Sequence, residues 1–308
     1  MALDNTPSLP LEAYCESIAL DQPFLPAPPA RIGELQPLIE ALTKHLLDER
    51  SEGDDALEAM EAAGIRPRGR LQVLLTVRQP RPPLPAEILT MLDRLLQRER
   101  TRRRETAPTA LPSVADAFPG TRYPDANRVT LWLGDITTLA ADAIVNAAND
   151  ELLGCFNPFH ACIDNAIHSQ AGPRLRSDCG VIMELQKHHE PVGSSKITRA
   201  YNLPSRFVLH TVGPTCSAGT ETPSAEATEL LAGCYRGCLD LAAQLPSIRT
   251  IAFCCISTGV FGFPREPACD IALKTVAQWM ERHPRRFDRI IFNVFSEADL
   301  ARYAARLG

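Results

Sequence analysis

Three potential metal ligands lie close together in one short segment of the sequence. Cys155, His160 and Cys162 fall within eight residues, across a turn that contains Pro158 and leads into a predicted helix. Two thiolates and an imidazole suit Zn²⁺, and three protein ligands leave a fourth position open for chemistry. The spacing is not that of a zinc finger, and buried free cysteines explain the same residues equally well. Cys179 is the best further candidate for a fourth ligand.

A carboxylate follows this segment directly. Asp164 lies two residues after Cys162, close enough to face the same cavity. It is therefore a candidate base, or a partner for positive charge in a transition state. His168 lies one helical turn later and is expected to form a hydrogen bond within the helix in a structural role. His210 lies in a strand-like run and is expected to belong to the core.

Two other short segments follow apolar runs and carry polar groups suited to a ligand. In Asp135-Ile136 the carboxylate can accept hydrogen bonds from an exocyclic amine such as that of adenine, while the next backbone N–H reads a ring nitrogen. Capping of the following turn explains Asp135 equally well. The segment from Asn146 to Asn149 offers amide donors and acceptors close to a ligand, although asparagine is also a common turn residue.

A glycine-containing loop follows the apolar run TIAFCCI. It comprises Ser257, Thr258, Gly259, Val260 and Phe261, followed by Gly-Phe-Pro. Glycines allow backbone N–H groups to converge on an anion near the start of a helix. The loop lacks the Gly-Lys-Ser/Thr ending of a Walker loop and the GxGxxG fingerprint. We interpret it as a diphosphate-binding loop in preference to a structural turn.

Alternating strands and helices are expected to position these segments from residue 129 onwards. The strand-like runs are VTLWLGDI, ADAIVNAAN, RFVLHTVGP, TIAFCCIS and RIIFNVF, and helical patterns cover about 160–186, 224–244, 265–282 and 297–307. This alternation predicts an α/β domain with a largely parallel sheet and helices on both faces. Ligands of such sheets bind beyond the carboxyl ends of the strands.

The first 128 residues differ from the rest in composition and in their hydrophobic pattern. They hold sixteen of the 26 prolines, and leucine-rich helical patterns lie between the proline clusters. Residues 31–104 are expected to form a few helices packed on the main domain, and residues 105–128 a loop-rich linker. The arginine-rich run from Arg98 to Arg104 is expected to be a solvated helix end. The predicted division is thus an N-terminal helical extension and linker, 1–128, and a main domain, 129–308.

Composition excludes several classes of protein. The 308 residues include 45% hydrophobic and 22% charged residues, with a net charge of −5 and a pI near 5.8, so we expect a globular protein and no nucleic-acid partner. No apolar run approaches a membrane span, and the N-terminus lacks a leader pattern, so a cytoplasmic protein is expected. Nine of the ten cysteines lie beyond residue 128, which favours local chemistry or burial over a disulfide framework.

Taken together, the motifs resemble a known family. GDITTLAADAIVNAAN, then HTVGP, then CISTGVFGFP closely resemble the macrodomain family of ADP-ribose-binding modules. Where macrodomain hydrolases usually have a glycine-rich loop and Val-Asp-Gly-Ala-Ile-His, this chain has the Cys/His segment followed by IDNAIH. This insertion is similar to that of the zinc-dependent branch, microbial protein ADP-ribosyl hydrolases often found alongside a sirtuin-like transferase. RGRLQVLLTVRQPRPPLPAEIL is similar to that branch's N-terminal extension.

The resemblance implies a three-layer α/β/α fold with a mixed, largely parallel sheet, and a role for each candidate residue. It implies one Zn²⁺ per chain, held by Cys155, His160 and Cys162, with Asp164 and Asn149 acting in catalysis, Asn149 by holding the distal ribose. The implied substrate-binding residues, which would read adenine, hold the diphosphate or pack on the adenosine, are Asp135, Ile136, Asn146, Asn149, Ser257, Thr258, Gly259, Val260, Phe261 and Phe295.

The function implied is hydrolysis of the glycosidic bond between ADP-ribose and a protein side chain. The substrate would be a mono-ADP-ribosylated protein and the product ADP-ribose, with a sirtuin-like ADP-ribosyltransferase as functional partner. Two alternatives use the same pocket: an ADP-ribose reader without turnover, and an O-acetyl-ADP-ribose deacetylase. A reader would need neither Asp164 nor the metal triad, so their presence favours an enzyme.

Overall fold

Six strands form one sheet in the chain's second half. The computed structural model describes residues 7–50 and 53–308; residues 1–6, part of the N-terminus examined for a leader, lie outside the described residues, as do residues 51–52. The strands are β1 (Val129–Leu133), β2 (Ala143–Ala148), β3 (Ser195–Arg199), β4 (Phe207–Val212), β5 (Thr250–Phe253) and β6 (Arg289–Val294). Their order in the sheet is β1-β6-β5-β2-β4-β3.

The sheet is mixed and largely parallel, as predicted. Every neighbouring pair is parallel except β3 and β4, which are antiparallel. The edge strand β3 was not predicted, because its sequence Ser-Lys-Ile-Thr-Arg carries one strongly apolar residue. An antiparallel edge strand on an otherwise parallel sheet is a common arrangement.

Ten α-helices lie within the described ranges. They are α1 (Leu35–Asp48), α2 (Gly53–Ala62), α3 (Pro67–Val77), α4 (Ala86–Arg100), α5 (Val114–Ala117), α6 (Ile163–Ala171), α7 (Pro173–Gln186), α8 (Ala225–Ala243), α9 (Arg265–Arg282) and α10 (Glu297–Leu307). None of these helices is long and apolar enough to span a membrane.

The single helix predicted over residues 160–186 is wrong. Two helices, α6 and α7, occupy this stretch and are separated at Gly172, whose φ is +88°. Pro173 occupies the first turn of α7, where its missing N–H costs nothing, whereas inside a continuous helix it would remove a hydrogen bond. Helix α6 is in contact with β2.

Helices cover the sheet in two groups. Helix α9 contacts both α8 and α10; α8 contacts strands β3 and β4, and α10 contacts β1 and β6. Helices α6 and α7 contact each other, α6 contacts β2, and α7 contacts β3. Side chains between these layers form the main hydrophobic core, which includes Trp279, Tyr235 and Phe253. The fold is therefore an α/β structure with a helical N-terminal region, as predicted.

The N-terminal helices have a separate core. Leu42, Leu71 and Leu92, from α1, α3 and α4, are fully buried in it. The segments flanking these helices belong elsewhere, since Tyr14 and Val114 pack into the core of the sheet domain. The division at residue 129 stays a prediction. The core of the N-terminal helices is built from described residues between Ala30 and Leu95, while Tyr14 before them and Val114 after them belong to the core of the sheet domain.

Buried polar contacts join the two units. Asn202 donates from Nδ2 to Asp93 Oδ1 (2.9 Å) and accepts from Gln97 Nε2 (2.9 Å), and all three side chains are buried. Arg176 of α7 donates from Nη1 to the carbonyls of Leu75, Thr76 and Arg78 at the end of α3. Because unpaired buried polar groups are costly, these bonds fix the orientation of the N-terminal unit on the sheet domain.

A buried ion pair on β3 predicts a large stability effect. Lys196 and Glu190 have no exposed side-chain surface, and Lys196 Nζ lies 2.5 Å from Glu190 Oε2. Burial lowers the pKa of Lys196, and Glu190 opposes this shift. Lys196→Met is expected to lower the free energy of unfolding by about 3–5 kcal/mol, because Glu190 would remain buried without its cation. Urea denaturation measures this.

The matched control for this prediction is Lys274→Met, at an exposed position of α9. The double variant Lys196→Met/Glu190→Gln is expected to recover part of the lost free energy of unfolding, because it also removes the buried charge of Glu190. A single variant as stable as the native chain would contradict the structural role given to this pair.

Candidate functional site

One cavity opens where the four adjacent strands β1, β6, β5 and β2 end. Its volume is about 780 Å³, within the range of small-molecule sites. The segments after these strands contribute Asp135, Asn149, Ser257 and Phe295. Parallel strands bring their carboxyl ends to one edge, so segments distant in sequence meet here.

The cavity brings together the predicted site residues, except Asn146 and the candidate fourth ligand Cys179. Those that line it are Asp135, Ile136, Asn149, Cys155, His160, Cys162, Asp164, Ser257, Thr258, Gly259, Val260, Phe261 and Phe295. Asn146 lies outside this lining and is fully buried in β2. Its connection to the cavity is a hydrogen bond to the lining residue Asp164. The roles of the lining residues stay predictions, while their convergence is a property of the fold.

One end of the cavity has an acidic side chain and exposed apolar groups. Asp135 Oδ1 accepts from the backbone N–H of Thr137 (2.9 Å) and from its hydroxyl (2.6 Å), so the capping role is present. Its Oδ2 lies 3.7 Å from Nη1 of Arg103, a residue that was expected to belong to a solvated helix end. Phe295 and Val260 are 82% and 70% exposed. This end suits a flat ring with an exocyclic amine.

The loop after β5 presents free backbone donors. The amides of Thr258, Gly262 and Phe263 donate to carbonyls within the loop. The amides of Gly259, Val260 and Phe261 donate to no protein acceptor in the described part of the chain. Ser257 is held at φ +63°, and its buried hydroxyl has no partner there. Converging free N–H groups are what a diphosphate requires.

Sequence reasoning missed several polar residues of the cavity. Asn293, Arg265 and Asp299 line it, and Arg265 Nη1 lies 3.4 Å from Asp299. Asn293 Nδ2 donates to the carbonyl of Gly134 (2.8 Å), which fixes the turn that carries Asp135. Alternation within β6 could have indicated Asn293, whereas Arg265 follows a proline at the start of α9 and carries no such signal.

A tight turn connects Asn149 with the Cys/His segment. Asn149 Nδ2 donates to the carbonyl of Gly154 (3.1 Å), and Asn149 Oδ1 is buried without a partner in the described chain. Gly154 has φ +84°, and a Cβ there would lie 2.9 Å from the ring of His168. Only glycine therefore allows this turn to lie against α6.

This close approach predicts the effect of a substitution. Gly154→Ala is expected to lower the free energy of unfolding by about 2–4 kcal/mol, because left-handed strain adds to the clash with His168. Denaturant titration measures the loss.

The control is Gly120→Ala. Gly120 has φ +92°, and no atom of the described residues lies within 4 Å of the place that an alanine methyl group would occupy. The loss of stability in this variant therefore measures the backbone strain alone, without a steric clash. Equal losses in the two variants would contradict the steric contribution of His168.

The Cys/His segment brings its three potential ligands together. Cys155 Sγ lies 3.4 Å from His160 Nδ1, and the ligand atoms of Cys155, His160 and Cys162 all lie within 4.8 Å of one another. Burial raises the pKa of the Cys162 thiol to about 11. Two sulfurs and an imidazole nitrogen at this spacing fit a divalent zinc ion, with one position left for another ligand.

Cys179 does not join this triad, so its prediction as a fourth ligand is wrong. It lies in a second, fully buried group with His168 and His210, and its Sγ is 3.8 Å from His210 Nε2.

Asp164 occupies a buried position at the cavity wall. Its side chain is 8% exposed, and Oδ1 accepts from Asn146 Nδ2 (2.7 Å). Burial raises the pKa of Asp164 to about 6, although the Asn146 hydrogen bond and nearby Arg176 oppose the shift. His168 Nε2 lies 3.5 Å from Oδ1, and burial keeps the pKa of His168 well below its usual value. At neutral pH the site thus holds a carboxylate beside a neutral imidazole.

A buried hydrogen-bond chain orients Asp164. Asn146 Nδ2 also lies 3.2 Å from His210 Nδ1, and His210 Nε2 lies 2.9 Å from the hydroxyl of Thr198. An amide NH₂ only donates, so His210 Nδ1 must accept and its proton lies on Nε2. Rotating the amide would place its oxygen against the carboxylate. His210, expected only as a core residue, therefore fixes the orientation of Asn146.

Comparison with known proteins agrees with this geometry. The model of the family described as Macro domain matches residues 145–272. A protein of Treponema medium named "Protein-ADP-ribose hydrolase" is 46% identical over 233 residues, which cover 76% of this chain and 84% of that protein. A Fusarium oxysporum f. sp. cubense protein named "Probable bifunctional ADP-ribose hydrolase/ADP-ribosyltransferase" is 40% identical over 249 residues, 77% of this chain and 40% of that protein.

A solved structure has a similar fold. The Trypanosoma brucei macrodomain in complex with ADP-ribose is 31% identical and aligns with a TM-score of 0.57, covering 73% of this chain and 91% of that one.

Proposed function

Because this chain belongs to the Macro domain family, we propose that it is a protein-ADP-ribose hydrolase that cleaves the glycosidic bond between ADP-ribose and a protein side chain. The observation that carries the proposal is a single cavity with free loop amides at its middle and a buried carboxylate beside two thiols and an imidazole at its end. The names of the Treponema medium and Fusarium oxysporum relatives both include ADP-ribose hydrolase.

Substrate binding rests on groups remote from the bond that breaks. The amides of Gly259, Val260 and Phe261 would bind the diphosphate, and Asp135 would accept from the adenine amine. Asn149, whose buried Oδ1 lacks a partner in the described chain, would accept a hydrogen bond from a hydroxyl of the distal ribose. Binding energy from these contacts would align C1″ with Asp164.

Asp164 would serve the chemical step. Hydrolysis of a glycosidic bond passes through a transition state with positive charge on the sugar. The Asp164 carboxylate would stabilise this charge and accept a proton from the water whose oxygen adds to C1″. The protein side chain leaves with the bonding electrons and gains one proton, which balances the proton that Asp164 takes from water and returns to solvent. Asn146 holds Oδ1 (2.7 Å), so Oδ2 is the oxygen left for this role.

The donor set suits a resident metal. Cys155, His160 and Cys162 would hold one Zn²⁺ per chain, and their ligand atoms lie close enough together for this without rearrangement of the loop. A zinc ion with three protein ligands supplies a Lewis acid that polarises a coordinated oxygen. Asp164 is the carboxylate adjacent to this triad in the cavity lining. Ordinary glycosidases use two carboxylates, whereas this site would use one carboxylate and a metal.

The test is incubation of the full chain with a mono-ADP-ribosylated protein. Release of ADP-ribose and recovery of the unmodified side chain are expected. Retention of the label with tight ADP-ribose binding would instead identify a reader. Faster release of acetate from O-acetyl-ADP-ribose than of ADP-ribose from protein would identify a deacetylase.

The proposed partners follow from this reaction. A transferase that attaches ADP-ribose to protein must supply the substrate, and the Fusarium relative's name includes both activities. We propose a sirtuin-like ADP-ribosyltransferase in that role and the cytoplasm as the location.

A further inference from the structure

A second cavity adjoins the first on the far side of the Cys/His segment. It has a volume of about 500 Å³ and lies between α3 and α4 of the N-terminal unit and α6 of the sheet domain. His160, Ala161, Cys162 and Ala166 line both cavities. We name this second cavity the acceptor groove and define it by Arg68, Gly69, Gln72, Glu99, Phe159 and Gln170.

The walls of the acceptor groove offer both donors and acceptors. Arg68 forms two bonds with Glu99, from Nε (2.5 Å) and Nη2 (3.0 Å). About a quarter of each side chain remains exposed, 29% for Arg68 and 27% for Glu99. Gln72 Nε2 donates to Ser169 across the groove (2.5 Å). A mixed lining of this kind suits a peptide backbone better than a ligand with one strong charge.

An exposed aromatic ring stands at the rim of the groove. Phe159 is 58% exposed and has φ +59°, a conformation that is strained for a bulky residue. Its Cζ faces Gly69 of α3, where a Cβ would lie 3.7 Å away. Strained backbone persists where the surroundings impose it, commonly at ligand-binding sites. The ring is therefore positioned as an apolar contact for a second molecule.

One buried side chain holds both walls. The Arg176 guanidinium donates to three carbonyls at the end of α3 and lies 4.6 Å from the centre of the Phe156 ring in the Cys/His segment. The position of α3 relative to the Cys/His segment is thus fixed before any ligand binds. A preformed groove of this kind lowers the ordering cost of binding a flexible chain.

We propose that the acceptor groove binds the polypeptide segment that flanks the modified side chain of the substrate. This inference rests on the proposed function, which puts the distal ribose beside the Cys/His segment. The side chain attached to C1″ must then leave the first cavity at that end, where the acceptor groove continues from the shared residues. The peptide backbone pairs with Arg68 and Glu99, and an apolar neighbour of the modified residue packs on Phe159. The N-terminal unit therefore selects substrates.

Binding measurements test this independently of turnover. The probes are free ADP-ribose and a short mono-ADP-ribosylated peptide with leucine beside the modified residue, titrated into the full chain carrying Asp164→Asn so that the peptide persists. We expect the peptide to bind about tenfold more tightly than ADP-ribose, as one good interface contact provides. Arg68→Ala and Phe159→Ser are each expected to remove most of this advantage while the Kd for ADP-ribose and the metal content stay constant.

The matched control is Arg81→Ala. Arg81 also belongs to the N-terminal unit and pairs with Glu184 of the sheet domain (2.6 Å), but it lies outside the groove lining. The Arg81→Ala variant is expected to bind the peptide more tightly than ADP-ribose by the same factor as the chain without this substitution. Equal affinity for peptide and ADP-ribose, or an advantage that survives both groove substitutions, would overturn the proposal. A native chain that releases no ADP-ribose would overturn the proposed function alone, because the groove is judged by affinity.

Discussion

Asp164→Asn is expected to lower kcat for release of ADP-ribose from protein by about a thousandfold, within the range for loss of a general acid–base group. The amide keeps the size of the carboxylate and still accepts the hydrogen bond from Asn146 that now measures 2.7 Å. It can neither accept a proton nor stabilise positive charge at C1″. The Kd for ADP-ribose is expected to change less than about threefold, because the loop amides supply most of the binding. Single-turnover kinetics and calorimetry measure the two effects.

Asp150→Asn is the matched control for this substitution. Asp150 lies next to Asn149 in sequence, but its side chain is 54% exposed and pairs with His189 outside the cavity lining. Turnover by this variant is expected to match that of the native chain. Loss of less than about tenfold in Asp164→Asn would contradict a role in the chemical step, since acid–base contributions exceed that value.

His160→Ala is expected to remove the bound metal and to lower kcat by about a thousandfold or more, corresponding to the several kcal/mol of charge stabilisation that a catalytic metal supplies. The two remaining sulfur ligands leave a site with too few protein donors for stable zinc binding. The Kd for ADP-ribose is expected to rise far less than kcat falls, because Gly259, Val260 and Phe261 bind the diphosphate away from the triad. Metal analysis, kinetics and calorimetry measure the three quantities.

His189→Ala provides the comparison for this variant, because His189 is 66% exposed and lies outside the triad. Its metal content and turnover are expected to stay at native levels. Equal losses of binding and turnover in His160→Ala, accompanied by a fall in the free energy of unfolding, would instead indicate a metal that only stabilises the loop.

The location of the site could be predicted because it depends on strand ends. Asp135, Asn149, Ser257 and Phe295 each follow an apolar run, and the chain places the corresponding strands next to one another. Local spacing also brought Cys155, His160 and Cys162 together, since a turn spanning a few residues cannot separate them widely.

Features that depend on contacts distant in sequence could not be predicted. The role of Arg176 has no local signal, because its three carbonyl partners lie about 100 residues earlier in the sequence. Strand β3 is recognisable only beside β4, because pairing and burial rather than apolar content define it. In the sequence, Asn146 appears equivalent to Asn149. Asn146 lies within β2, where successive side chains point to opposite faces of the sheet. Its neighbour Ala147 lines the cavity, whereas Asn146 forms its hydrogen bond with Asp164 of α6.

The proposed hydrolysis of ADP-ribosylated protein depends on both this cavity and the metal triad. The most direct measurement is the metal content of untagged protein, together with ADP-ribose release before chelation, after chelation and after zinc is returned. We expect about one zinc per chain, loss of release on chelation and recovery with zinc, as for a three-ligand catalytic site. Metal-free protein that binds ADP-ribose but releases none from modified protein would contradict the account and identify a reader.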